Sequence, residues 1–171
     1  MRVDRTFAFV DLCGFTAFTE THGDDEAVTV LTRFRSTVRS LAADHGVRVA
    51  KWLGDGVMIV SGDGRAVVRA VLELQGELSG DVLPTPLRAG IACGPVILFE
   101  GDDYTGRAVN LAARLADAAG PREVLATVPV GRLVSDAEAA LPAGERVVKG
   151  FPAAVAVMRL VSPLRLAGSS R

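Results

Sequence analysis

The chain has 171 residues, of which 49% are apolar and 23% charged, with a formal net charge of −1. That length and balance suit one globular domain with a sizeable core and exclude a disordered chain. The small net charge leaves no electrostatic footprint for nucleic acid or an anionic membrane, and no apolar stretch approaches the ~20 residues that span a bilayer.

From the N-terminus, residues 7–11 read as a fully buried central strand ending on Asp11. Cys13, Gly14, Phe15 and Thr16 form the turn into the first helix. Ala27, Leu31, Phe34, Val38 and Leu41 recur at helical spacing and predict an amphipathic helix over 25–43, with Gly46 as its left-handed cap. Residues 47–53 and 57–60 are the arms of a hairpin that turns at Gly54-Asp55, since Asp-Gly between apolar runs is a strong hairpin signal. Ala66, Val67, Ala70, Val71 and Leu74 mark a second long helix, closed by Ser79-Gly80. A strand over 87–93 turns at Gly94-Pro95 into another over 96–99. Residues 107–118 form a helix with Val109, Leu111, Ala112, Leu115 and Ala116 inward. A strand over 124–127, a short helix over 130–134 and strands over 146–148 and 155–160 follow. The expected architecture is an α+β sandwich of helices on a mixed, largely antiparallel sheet, in one domain over 1–162 with a flexible tail over 163–171.

Asp11 and Asp55 carry the first chemical signal. Taken singly, Asp11 reads as a helix cap and Asp55 as the residue an Asp-Gly turn favours. If the first strand and the hairpin are neighbours, the two carboxylates share one sheet edge, with no His or Cys spaced to join them. All-oxygen ligation suits Mg²⁺, which takes a few carboxylates together with substrate phosphates. This points to metal-assisted chemistry on a nucleoside triphosphate. No GxxxxGK[ST] loop occurs, so the phosphate site is not of the Walker type. Asn110 and Arg114 stand four apart and share one face of an alanine-rich helix. The cysteines, Cys13 and Cys93, lack metal-ligand spacing, and nothing before Phe7 resembles a secretory signal. A cytoplasmic protein with reduced thiols is expected. His22 and His45 approach no motif, and Trp52 alternates away from Lys51 as a core or interface residue.

In this order, FVDLCGFT, KWLGDG, DDYTGRAVNLAARL and VVKGF resemble the catalytic domain of class III adenylyl/guanylyl cyclases, over roughly residues 5–160. The resemblance implies a palm-like, ferredoxin-like fold and conversion of ATP to 3′,5′-cyclic AMP and pyrophosphate. It gives Asp11 and Asp55, assisted by the Leu12 carbonyl, a pair of Mg²⁺ or Mn²⁺ ions. The backbone of Cys13, Gly14, Phe15 and Thr16 faces the β- and γ-phosphates, and Lys149 the terminal phosphates. Lys51 and Asp103 read adenine, with Asp103 preferred to Asp102 by counting back from Gly106. Asn110 holds the ribose, and Arg114 stabilises charge on the α-phosphate. Sites of this kind lie between two domains, and this chain holds both halves in one, so a head-to-tail homodimer with two equivalent sites is expected. The chain departs from many eukaryotic relatives at Pro95, where they carry a basic residue. Lys149, the Gly14 turn or another basic residue must then serve the triphosphate. Guanylyl cyclase, diguanylate cyclase and a nucleotide-binding module with weak or lost catalysis are the alternatives. Lys51 with Asp103 opposes the first, the lack of a GGDEF-like run the second, and intact principal positions the third.

Overall fold

The computed structural model describes residues 1–101, 103–135 and 138–162; the Asp102 alternative and the 163–171 tail lie outside them. Strand β1 (Arg2–Leu12) is central because both of its faces are apolar, with Phe7, Ala8, Val10 and Leu12 all buried. It pairs antiparallel with β3 (Gly56–Ser61) on one side and β4 (Leu87–Phe99) on the other. Outside β3 lies β2 (Arg48–Leu53), and outside β4 come β6 (Val124–Thr127), β8 (Val155–Val161) and β7 (Ala139–Arg146). The short β5 (Asp103–Thr105) pairs with the far end of β4. Among the described strands only the β4–β6 pairing is parallel. The sheet is thus mixed and largely antiparallel, as its sequence pattern indicates.

Each face buries its own core. On one, Val10, Leu12, Ile59 and Ile91 pack against Phe34 and Val38 of α2 (Asp24–His45) and Val67 and Leu74 of α3 (Gly64–Glu77). On the other, Phe7, Met58 and Ala92 pack against Ala112 and Leu115 of α4 (Arg107–Ala118). Asp63 caps α3 by accepting from the Arg65 and Ala66 amides at 2.9 and 3.2 Å. No helix among the described residues is long and apolar enough to cross a membrane.

Several local expectations are corrected. A separate helix, α1 (Phe15–His22), precedes α2, and Gly23 at φ 89° breaks the two apart. Phe15 and Thr16 therefore open α1 rather than forming a turn. β4 does not turn at Gly94-Pro95 but runs through them, opposite Arg5 and Asp4 of β1. On its other edge β6 pairs with 89–91 and β5 with 97–99, so Pro95 falls in the gap between them, a position where proline is tolerated. The turn comes later, at Glu100 and Gly101, which take φ of 40° and 82°. The strand expected over 146–148 is β7, which ends at Arg146. Pro142 and Gly144 disguise it as a loop, yet an edge strand with a bulge between Pro142 and Glu145 accommodates both. The short helix expected over 130–134 is α5 (Val128–Gly131), with Pro129 in its first turn, where a missing amide hydrogen costs nothing.

The approach of α4 to β4 needs Gly90. A Cβ there would lie 2.2 Å from the Ala116 amide nitrogen and 2.3 Å from the Ala112 carbonyl oxygen, both helix backbone that cannot move aside alone. Gly90→Ala should lower stability by about 3 kcal/mol, the upper end of overpacking costs, seen as a lower urea midpoint. A loss under about 0.5 kcal/mol would mean that α4 does not rest on the strand.

Candidate active site

The register of β1 places Asp11 opposite Gly56 on one side and Arg88 on the other. Gly56 permits this closeness, since a Cβ there would meet the Val10 carbonyl oxygen at 2.9 Å. The Gly54-Asp55 turn, with Gly54 at φ 69°, then folds beside the end of β1, where the Leu12 amide donates to the Asp55 carbonyl at 3.3 Å. Burial, and next the negative charge of Asp11, push the Asp55 carboxyl above its ordinary range. The Cys13 amide donates to the Pro86 carbonyl at 2.8 Å, and Gly14, at φ 69°, leads into the first turn of α1 at Phe15 and Thr16. Helix-start amides of this kind lack intrahelical acceptors.

Lys51 reaches its place through an irregularity. Strict alternation would put it on the same face as Val49, toward α2. A bulge at Ala50 resets β2, so Val49 stands opposite Ile59, Lys51 opposite Met58 and Trp52 opposite Val57. Lys51 thereby shares the α4 face, and its Nζ lies 2.5 Å from Asp103 Oδ1 on β5. That bond holds the Asp103 carboxyl below its usual range. The pair remains 49% and 41% exposed.

Asn110 and Arg114 project from the exposed face of α4. With Arg107, Lys149 and Phe151 they line an open groove of about 590 Å³. Arg114 Nη1 donates to Asp117 Oδ2 at 3.3 Å, one turn along. Within one chain the sequence-selected residues thus fall into three groups: the Asp11–Asp55 edge with the Gly14 turn, the Lys51–Asp103 pair, and the Asn110–Arg114–Lys149 groove. Neither Asp11 nor Asp55 is among the groove's lining residues.

Sequence reasoning missed Arg88. Its Nε and Nη2 donate to Asp11 Oδ2 at 3.2 and 2.9 Å, while Nη1 donates to the Asp117 carbonyl at 3.0 Å. The signal was a charge heading an apolar strand, LRAGIA, but only the β1–β4 register reveals its partner. Arg88 is also a basic residue at the site that does not depend on position 95. Among the described residues no cluster of three or more His, Cys, Asp or Glu side chains could hold a metal alone. Burial pushes the Cys13 thiol up, which disfavours the thiolate a metal would need. The donors are two carboxylates and a backbone carbonyl, a hard set that suits Mg²⁺ or Mn²⁺ completed by phosphate oxygens. A carboxyl raised in the fold favours the folded state below its unfolded pKa and loses that benefit as pH rises through its folded pKa. Asp55→Asn should therefore raise the melting temperature of the metal-free protein at pH 7, with the gain fading toward about pH 4. A gain that is absent at pH 7, or unchanged down to acid pH, would contradict this picture of the edge.

Comparison with known proteins agrees with the architecture. Residues 3–157 match the adenylate and guanylate cyclase catalytic domain. An uncharacterised protein of Mycobacterium tuberculosis is 37% identical over 152 residues, covering 89% of this chain and 40% of its own length. The adenylate cyclase of Streptomyces coelicolor is 37% identical over 125 residues, covering 72% and 32%. The chain thus spans about a third to two-fifths of these curated relatives. Among solved structures, the adenylyl cyclase CyaB of P. aeruginosa superposes with a TM-score of 0.84 at 27% identity, over 95% of both chains. The guanylate cyclase domain of RhGC from Catenaria anguillulae shares the fold, with a TM-score of 0.84 at 17% identity, over 95% and 98%. The family match over residues 3–157, on a sheet that carries two carboxylates at one edge, places the protein in the adenylate and guanylate cyclase catalytic domain family.

Proposed function

We propose that the chain is an adenylate cyclase domain that forms 3′,5′-cyclic AMP and pyrophosphate from ATP at sites shared between two copies. The observation that carries the choice of base is the Lys51–Asp103 pair. Adenine offers an acceptor at ring N1 and a donor at its exocyclic amine, complementary to an ammonium and a carboxylate. Guanine reverses both, which would leave buried polar groups mismatched. The adenylate cyclases among the relatives agree with this reading.

Asp11, Asp55 and the Leu12 carbonyl are the groups that would hold Mg²⁺ or Mn²⁺. Such cations, when bound, lower the pKa of the ribose 3′-hydroxyl and neutralise charge on the departing pyrophosphate. The 3′-oxygen attacks the α-phosphorus, the bond to the bridging oxygen of the β-phosphate breaks, and the hydroxyl proton leaves. Asn110 orients the ribose. Arg114, planar and always charged, stabilises the extra charge on the α-phosphate as it becomes five-coordinate. The amides from Gly14 to Thr16, with Lys149 and Arg88, bind the β- and γ-phosphates, while the Cys13 amide is taken by the Pro86 carbonyl. Nucleotide drawing Arg88 toward phosphate would free Asp11 for the cation.

A head-to-tail homodimer is supported by exposure. An exposed ion pair contributes little in water, so Lys51 and Asp103 discriminate between bases only if a second surface covers them. The Asn110–Arg114–Lys149 groove is likewise open and needs a partner's carboxylate edge opposite it.

Purified protein with Mn²⁺ should turn over ATP in preference to GTP, measured by cyclic nucleotide product. Lys51→Glu with Asp103→Ala should cut ATP use by at least about 100-fold and narrow the gap to GTP. An undiminished preference for ATP in that double variant would remove these residues from base reading, and GTP preference in the wild type would make the chain a guanylate cyclase. Asp11→Ala or Asp55→Ala should abolish turnover with the fold intact by circular dichroism, and normal turnover by either would sink the metal assignment.

A further inference from the structure

We propose that Arg35 is a positioning residue for the Asp55 turn, acting through the Gly54 carbonyl. Arg35 lies on α2, nineteen residues before Gly54, and its Nη2 donates to the Gly54 carbonyl at 3.1 Å. That carbonyl belongs to the turn, outside the β2–β3 ladder, whose final pair is Leu53 with Gly56. The guanidinium is itself aimed by Trp52. Its Cζ lies 5.0 Å from the Trp52 ring centroid, and Arg39 sits over the same ring at 5.1 Å. Trp52 in turn meets Phe34 edge-on at 6.5 Å, and Phe34 is fully buried. A rigid chain of contacts therefore runs from the α2 core through Trp52 and Arg35 to the residue preceding Asp55.

The consequence is geometric. A two-residue turn at the end of a hairpin has few restraints beyond its ladder, and Gly54 adds backbone freedom. The Leu12 amide fixes the turn from the β1 side, through the Asp55 carbonyl. Arg35 fixes it from the α2 side, through the adjacent carbonyl. Two bonds to successive carbonyls restrain the backbone from which the Asp55 carboxylate is presented beside Asp11. Arg35 Nε is buried with no hydrogen-bond partner among the described residues, a cost to the fold that fits a side chain retained for the turn rather than for stability. Lysine is not equivalent, because a planar fork can stack on the indole and donate sideways at once.

This inference rests on the reading of Asp55 as a cation ligand, and its test keeps the two apart. Mn²⁺ is titrated into wild type, Arg35→Met, Arg35→Lys and Asp55→Asn, with free ion followed by electron paramagnetic resonance. Arg35→Met, which keeps apolar contact with Trp52 but cannot donate, should weaken Mn²⁺ binding about tenfold, as loss of an outer-shell partner does. Its circular dichroism melt should stay close to that of the wild type. Arg35→Lys should recover part of the affinity. Binding by Arg35→Met within about twofold of the wild type would overturn the proposal, being far below the usual outer-shell effect. So would an Arg35→Lys variant that recovers nothing, since the loss would then come from packing. Should Arg35→Met fail to fold, Trp52→Leu removes the ring that aims the guanidinium and carries the same expectation and the same refutation. Asp55→Asn binding Mn²⁺ as the wild type does would overturn the metal assignment itself, whatever Arg35 does.

Discussion

β1 is hydrogen-bonded in antiparallel register to β3 and β4 at once, and that double register sets the chemistry of the sheet edge. It puts Asp11 beside Gly56, hence beside the Asp55 turn, and also beside Arg88. A slip of one residue would turn the Asp11 charge into the α2–α3 core and move Phe7 and Phe9 off the α4 core they fill, because strand side chains alternate with a period of two. The apolar burial of Phe7, Ala8, Val10 and Leu12 therefore holds the carboxylate in place. Packing on both faces supplies a platform, and the Asp11 and Asp55 carboxylates sit at its rim, where the chain turns.

Charge at that rim is unbalanced by design of the sequence. Burial and then the charge of Asp11 raise the cost of ionising Asp55, and Arg88 offsets only part of it. Such an arrangement is poor for stability and suited to a divalent cation. Arg88 also touches the Asp117 carbonyl, while the Asp117 carboxylate takes Arg114, so the carboxylate edge and the C-terminal turn of α4 are linked within one chain. Across the sheet face, Lys51 and Asp103 neutralise each other. Asp11, Arg114, Lys51 and Asp103 are thus each held by a partner that bound nucleotide and cation would displace, while the charge of Asp55 is left only partly compensated.

Much of this was legible in the residues themselves. The apolar run into Asp11, the Gly54-Asp55 hairpin and the Asn110–Arg114 face needed only periodicity and turn chemistry, and the structure has those elements where the pattern puts them. Four features were not legible, each for a physical reason. Arg88 acts through a neighbour 77 residues away, which local pattern does not encode. The path of β4 through Gly94-Pro95 depends on a gap between β5 and β6, and β7 tolerates Pro142 only as an edge. The bulge at Ala50 reverses the face Lys51 would take by alternation, so its meeting with Asp103 follows from register rather than from spacing alone.

The claim on which the rest turns is that one chain holds both halves of a site without completing it. Mixing Asp11→Ala with Arg114→Ala chains tests this directly, since each variant alone keeps one half. In a mixed dimer one site loses both groups, while the other takes its carboxylates from the Arg114→Ala chain and its arginine from the Asp11→Ala chain. With random pairing about half the dimers are mixed and carry one intact site, so roughly a quarter of wild-type activity should return. Two inactive variants that stay inactive together, with subunit exchange confirmed by an independent label, would show that the site is not built across two chains.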